Sequence, residues 1–244
     1  MRPHAVPLVD CQDVIKVYGE GGAGLTVLDR ITLRVPERAF VALTGPSGSG
    51  KTTLLNLIAG IDLSTSGRVV VAGTDVSALS ESERAGWRHR NVGCMFQRDT
   101  LLPALNAIEN VELPLLLDRL SRAERRERAL NALELVGLRD RAREAVHRLS
   151  SDERQRLSFA RTIVPDPKLL VADEPTRHLD AGGTERIKML LLKLNTELGK
   201  TIVVVTRDLE FGESADQQYR LEARALRRVM PEHRHSGRVA GRLQ

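Results

Sequence analysis

The stretch GPSGSGKTT, Gly45 to Thr53, combines residue types that handle phosphate. It reads G-x-x-x-x-G-K-[ST], through Gly45, Pro46, Ser47, Gly48, Ser49, Gly50, Lys51, Thr52 and Thr53, after the apolar FVALT and before the helical LLNLIAG. In that strand–loop–helix setting Gly48 and Gly50 allow the backbone to curl so that N–H groups point inward around an anion. Lys51 supplies a point charge for β- and γ-phosphate oxygens, Thr52 an oxygen for Mg²⁺, and the helix start its dipole. A second acidic site supports the first. LLVADEP is a buried hydrophobic strand that ends in Asp173 and Glu174. Two carboxylates at the tip of such a strand are costly unless they serve a cation or a reaction. Asp173 is expected to hold Mg²⁺ through water, and Glu174 to polarise the attacking water.

LSSDERQR, Leu149 to Arg156, poses a different question. Ser150 and Glu153 form a capping box for a helix, whose start carries unpaired N–H groups and partial positive charge. An outside anion can sit there, yet the chain supplies its own carboxylate, Asp152. Good capping and a closed anion site are both consistent with that spacing.

These residues need a scaffold. FVALT, GRVVVAG, KLLVA and TIVVVT are short apolar runs suited to buried strands, and LTVLDRITLRV partly alternates as a half-buried strand does. Between about Arg98 and Pro165 the pattern turns helical; SRAERRERALNALELVGL has a capping box at Ser121 and Glu124 and ends at Gly137. The expectation is an α/β fold: a phosphate-loop NTPase core with a mainly parallel sheet and an inserted α-helical lobe, to which the family resemblance given below adds an antiparallel β subdomain. The functional domain is expected over 1–226 and a basic, flexible tail over 227–244.

The net charge of +5 does not point to nucleic acid, because the tail from Arg227 to Gln244 holds five Arg against one Glu. No apolar run reaches the ~18–20 residues that cross a bilayer, and MRPHAVPLVD lacks a signal-peptide core. A membrane role is therefore expected to come through a partner. Cys11 and Cys94 are too few and too far apart for a disulfide framework or metal site, and read as reduced thiols.

With these pieces in order, the chain resembles the nucleotide-binding subunit of ABC transporters over nearly its full length. The resemblance implies that Tyr18 stacks on adenine and that Gln97 in CMFQ contacts Mg²⁺ and senses the permease. LSSDERQR stands where the family has its signature, Leu-Ser-Gly-Gly-Gln/Glu, so Ser150 is implied to reach a partner's nucleotide. DEPTRHLD matches the acidic strand and the following loop, with Asp180 as its aspartate. LLPALNAIENVELPLLL, Leu101 to Leu117, looks like the lipoprotein-releasing and macrolide-export group. The implied function is MgATP binding and hydrolysis coupled to a separate membrane permease, at the cytoplasmic face of the inner membrane, by two ATP-binding subunits paired head to tail as a homodimer or heterodimer.

Two departures bear on turnover. Ser151 and Asp152 replace the family's glycines, and a bare carboxylate about 5 Å from one phosphate charge repels it by roughly 3 kcal/mol at an effective dielectric near 20. Arg207 in VVVTRD replaces a histidine; it either neutralises phosphate or pairs with Glu174 and ties up the catalytic base. Impaired hydrolysis is the expectation. The alternative is an ATP-dependent regulatory or scaffold subunit of a cell-division-type complex with little turnover.

Overall fold

A computed structural model describes residues 6–19, 24–96, 101–177 and 179–229. Gln97, His178 and the tail beyond Val229 lie outside the described residues.

The first strands, β1 (Val9–Tyr18) and β2 (Leu25–Val35), pair antiparallel, and β2 buries alternate residues toward its C-terminal end as its sequence pattern requires. Next come β3 (Phe40–Thr44), α1 (Lys51–Ile58), β4 (Ser66–Val71), the short β5 (Thr74–Asp75), α2 (Glu81–Asn91) and β6 (Val92–Met95). Strands β1, β2, β4 and β5 form one antiparallel sheet, in the order β2-β1-β4-β5. Its apolar face meets α1, so that Leu28, Ile31, Leu33, Val69 and Val71 share a core with Leu54, Leu57 and Ile58.

The helical segment contains α3 (Ala107–Glu112), α4 (Arg122–Leu135) and α5 (Ser151–Ile163). Each starts with a capping box, at Asn106 and Glu109, Ser121 and Glu124, and Ser150 and Glu153. Helix α4 ends in a Schellman motif: Gly137 has φ 68°, its N–H bonds Glu134 O, and Leu138 N–H bonds Leu133 O at 2.8 Å. The far end of α5 lies close to β6, where a Cβ on Gly93 would sit 2.7 Å from Thr162 O.

The chain then returns to the sheet with β7 (Leu169–Asp173), α6 (Ala181–Thr196), β8 (Thr201–Val205), a short α7 (Leu209–Gly212) and the hairpin β9 (Gln217–Glu222) and β10 (Ala225–Val229). The second sheet has the order β10-β9-β3-β8-β7-β6, and every pairing in it except β9/β10 is parallel. Strands β3, β7 and β8 are buried at every residue, because successive residues feed opposite faces. Phe40, Ala42, Leu170, Ala172, Ile202 and Val204 enter the core shared with the helical segment and α6. Val41, Leu43, Leu169, Val171, Val203 and Val205 enter the core shared with the antiparallel sheet.

The register determines what meets at the carboxyl edge. Asp173 lies opposite Val205, and Leu43 opposite Val205 on the other side. The segments that follow β3, β7 and β8 therefore leave the sheet side by side, where ligands bind in parallel α/β folds. One boundary differs from expectation. The tail was expected to start at Arg227, but Arg227, Arg228 and Val229 pair with Arg220, Tyr219 and Gln218 and belong to the sheet.

Candidate phosphate-binding site

The loop after β3 is shaped by its glycines. Gly45 has φ 145°, and a Cβ there would lie 2.2 Å from the Leu221 carbonyl oxygen of β9. Gly50, at φ 100°, caps α1, and its Cβ would press on Leu28 at 2.9 Å. Side chains are thus excluded at both positions by conformation and by space. Lys51, the first residue of α1, is 6% exposed and folds back into the loop. Its Nζ donates to the carbonyls of Gly45 at 2.9 Å and Pro46 at 2.7 Å. Burial pushes the ammonium below its ordinary pKa, opposed by the negative charge of Glu174.

Beside the lysine, Thr52 Oγ1 donates to Asp173 Oδ2 at 2.7 Å. Asp173 is 5% exposed, so a buried carboxylate and a hydroxyl converge at the start of α1. This is a hard oxygen pair that fits Mg²⁺, which prefers one or two protein oxygens completed by water and phosphate. Among the described residues no group of three or more His, Cys, Asp or Glu could hold a metal ion.

Glu174 follows in the left-handed region at φ 49°, where a non-glycine residue is strained. Its N–H bonds Val205 O at 2.8 Å, which fixes the turn against the end of β8. The Glu174 carboxylate meets Arg207: Oε1 lies 3.0 Å from Nε, and Oε2 accepts from the Arg207 backbone N–H at 3.4 Å. The same guanidinium donates through Nη2 to Ser47 Oγ at 3.1 Å. Of the two alternatives for Arg207, its geometry is the pairing with Glu174. These groups line a cleft of about 430 Å³ that runs from Ser47–Thr53 past Asp173 and Glu174 to Arg177 and Arg207.

Tyr18, Ser150 and Asp180 do not line this cleft. Tyr18 stands near Thr53, its hydroxyl donating to Asp62 Oδ2 at 2.8 Å, with the Lys16 ammonium 4.7 Å from the ring centroid. Burial and the Asp62 hydrogen bond raise the phenol pKa. Asp180 caps α6, accepting from Gly183 N–H at 2.7 Å. Ser150 caps α5 by accepting from Glu153 N–H at 3.1 Å, while Glu153 accepts from Ser150 N–H at 2.8 Å.

The bare carboxylate assumed for Asp152 is not what the chain builds. Its Oδ2 lies 3.0 Å from Arg156 Nε, and its Oδ1 lies 3.1 Å from Arg186 Nη2. The repulsion expected from an isolated charge is corrected accordingly, since two cations meet it. Arg156 was legible as the i+4 neighbour on a helix. Arg186 carries no local signal of its role, and Ser47, expected as part of the phosphate loop, carries none of its bond to Arg207, because the partners lie far away in sequence. Another long-range tie, Gln155 Nε2 to Pro175 O at 2.7 Å, joins α5 to the turn after Glu174.

Comparison with known proteins places this geometry. The family described as "ABC transporter" matches residues 28–177. The lipoprotein-releasing system ATP-binding protein LolD of Alcanivorax borkumensis is 39% identical over 226 residues, covering 93% of this chain and 99% of LolD. An uncharacterized ABC transporter ATP-binding protein of Methanocaldococcus jannaschii, MJ1508, is 41% identical over 214 residues, covering 88% of this chain and 95% of its own. Among solved structures, the dimeric post-hydrolysis state of the ATP-binding cassette MJ0796 bound to ADP and Pi superposes with TM-score 0.85 at 36% identity, covering 92% of this chain and 99% of that one. A second dimeric structure of MJ0796, a bacterial ABC transporter cassette, gives TM-score 0.83 at 36% identity over 89% of this chain and 96% of that one.

Proposed function

This chain belongs to the ABC transporter family as an ATP-binding subunit, and from that premise we propose that it powers export or extraction of lipid or lipoprotein through a separate membrane permease. The observation that carries the ATP-binding part is the convergence of Lys51, the Thr52–Asp173 pair and Glu174 around one cleft. The likeness to a lipoprotein-releasing ATPase supports the transport role. No helix among the described residues is long and apolar enough to cross a membrane, which suits a subunit that sits on a permease at the cytoplasmic face of the inner membrane.

In this reading backbone N–H groups of the Gly48 to Thr52 turn and the Lys51 ammonium hold the β- and γ-phosphates. Thr52 and Asp173 would hold Mg²⁺, which would supply positive charge to offset that of the phosphates. Glu174 orients water, Tyr18 and Gln97 serve the base and the cation, and Ser150 and Asp180 face the nucleotide of a second copy. Dimers of the MJ0796 cassette support that pairing. Turnover is slow because Arg207 holds Glu174. The same ion pair favours one second reading, a regulatory subunit that uses ATP to pair rather than to turn over.

Direct titration with MgATP tests the binding site. Lys51→Ala removes a charge-assisted hydrogen bond worth ~1.5–3 kcal/mol, so affinity falls about ten- to a hundredfold. Unchanged affinity in Lys51→Ala would remove Gly45–Thr53 as the phosphate site.

A further inference from the structure

We propose that Arg186 is a positioning residue that makes Asp152 compatible with the triphosphate of a second copy of this chain. The inference rests on the reading that nucleotide held at Gly45–Thr53 of one copy meets the start of α5 of another. Asp152 stands in the first turn of α5, where a lone carboxylate opposes an incoming phosphate. Two guanidinium groups hold it. Arg156 Nε lies 3.0 Å from Oδ2, and its Nη1 donates to Val136 O at 2.7 Å and Gly137 O at 3.2 Å, which anchors it to the end of α4. Arg186 reaches across from α6, with Nη2 3.1 Å and Nε 3.2 Å from Oδ1. The neighbouring Glu153 carboxylate is met by Arg141 Nε at 3.4 Å, so Asp152 between two cations leaves the start of α5 with an excess of positive charge that attracts a triphosphate rather than repelling it.

The first turn of α6 is shaped around this contact. It contains Gly182 and Gly183, and glycine is the least favourable helix residue after proline. A Cβ on Gly183 would lie 3.2 Å from Asp152 Oδ1, and one on Gly182 would lie 3.3 Å from Arg186 Nη1. A Cβ on Gly183 would also lie 3.0 Å from Leu179 Cβ, so a side chain there has no room beside the carboxylate, whereas one at Gly182 meets first the flexible end of Arg186. Arg186 is also the movable member, with its side chain 52% exposed against 16% for Arg156.

The test measures self-association of the full-length chain by sedimentation velocity with ATP and excess EDTA, so that no turnover drains the paired state. ATP binding to the dilute monomer is measured in parallel by equilibrium dialysis with Mg²⁺ present. Arg186→Gln is expected to weaken ATP-dependent pairing at least about tenfold (~1.4 kcal/mol), while monomer affinity for ATP stays unchanged. Arg186→Lys keeps the charge and retains most of the pairing. The decisive variant is Arg186→Gln combined with Asp152→Gly, which removes the uncompensated carboxylate and restores pairing. Wild-type pairing in Arg186→Gln overturns the inference, as does loss of pairing that Asp152→Gly fails to restore. Wild type that binds ATP and stays monomeric overturns it too. Wild type that binds no ATP defeats the underlying reading of Gly45–Thr53, which the dialysis arm alone reveals.

Discussion

Replacing Arg207 with histidine releases Glu174, and the gain can be worked from the geometry. The carboxylate is 11% exposed and pairs with Nε at 3.0 Å, while Nη2 of the same guanidinium is fixed to Ser47 at 3.1 Å. At a charge separation of about 4 Å and an effective dielectric near 20, the attraction is ~4 kcal/mol. The Arg207 side chain is 49% exposed, however, so water and counterions screen the pair. Exposed pairs are worth ~1 kcal/mol or less, and a value of ~1–2 kcal/mol fits this half-covered one. A released Glu174 then becomes available to a water about ten times more often, since ~1.4 kcal/mol is one decade. Arg207→His is expected to raise kcat for MgATP about tenfold, with little change in KM, because the proposed reading puts the hold on ATP in Gly45–Thr53. The assay is steady-state phosphate release at pH 7.5, where an unperturbed imidazole of pKa ~6.5 is mostly neutral. Glu174→Gln in both backgrounds shows that the gained turnover runs through Glu174. A kcat equal to or below wild type, at unchanged ATP affinity, refutes the reasoning and assigns the guanidinium to phosphate instead.

Two further outcomes follow from burial and close approach. Burial pushes both thiols, Cys11 and Cys94, up to about 12. Below pH 8 they are protonated in the folded and unfolded chain alike and add no slope. Above about 8.5 the unfolded chain releases these protons and the folded chain does not, so stability falls by up to ~1.4 kcal/mol per thiol per pH unit as pH rises toward 12. Urea melts of wild type and Cys11→Ala/Cys94→Ala in reductant check this, and equal slopes between pH 9 and 11 would refute it. Gly45→Ala places a Cβ 2.2 Å from the Leu221 carbonyl at a φ of 145°, so the loop or β9 must shift. Expected are a loss of ~2 kcal/mol or more of stability in urea melts and a drop in ATP affinity, whereas Gly48→Ala, with open space around its Cβ, acts through backbone conformation alone.

The contrast between what the chain discloses locally and what it withholds is physical. Gly45–Thr53, the apolar strand before Asp173 and Glu174, and the boxes at Ser121 and Ser150 are legible because each is a short-range device. A glycine spacing, a buried run ending in charge and a Ser-x-x-Glu cap all act within one turn of chain. The β9–β10 hairpin is not legible for the opposite reason. Its turn residues Ala223 and Arg224 both take positive φ, at 48° and 67°, without the Asn or Gly that usually marks such a turn. Arg227 and Arg228 point mainly to solvent on the outermost strand, so their charges read as tail.

Charge is where local reading fails most instructively. Arg207 and Glu174 lie 33 positions apart, as the spacing of their hydrogen bond gives, and meet because β7 and β8 are parallel neighbours. Asp152 and Arg186 lie 34 positions apart and meet because α5 and α6 start beside one another. A carboxylate judged by its sequence neighbours looks like damage to an anion site; judged with the guanidinium that the fold carries to it, its charge is met. The same fold turns Arg207, a phosphate ligand by charge alone, toward the Glu174 carboxylate. In both places the sign of the effect follows from which charge the sheet order and helix starts bring within 3.2 Å, so substitutions that change a pair together preserve behaviour that either substitution alone disturbs.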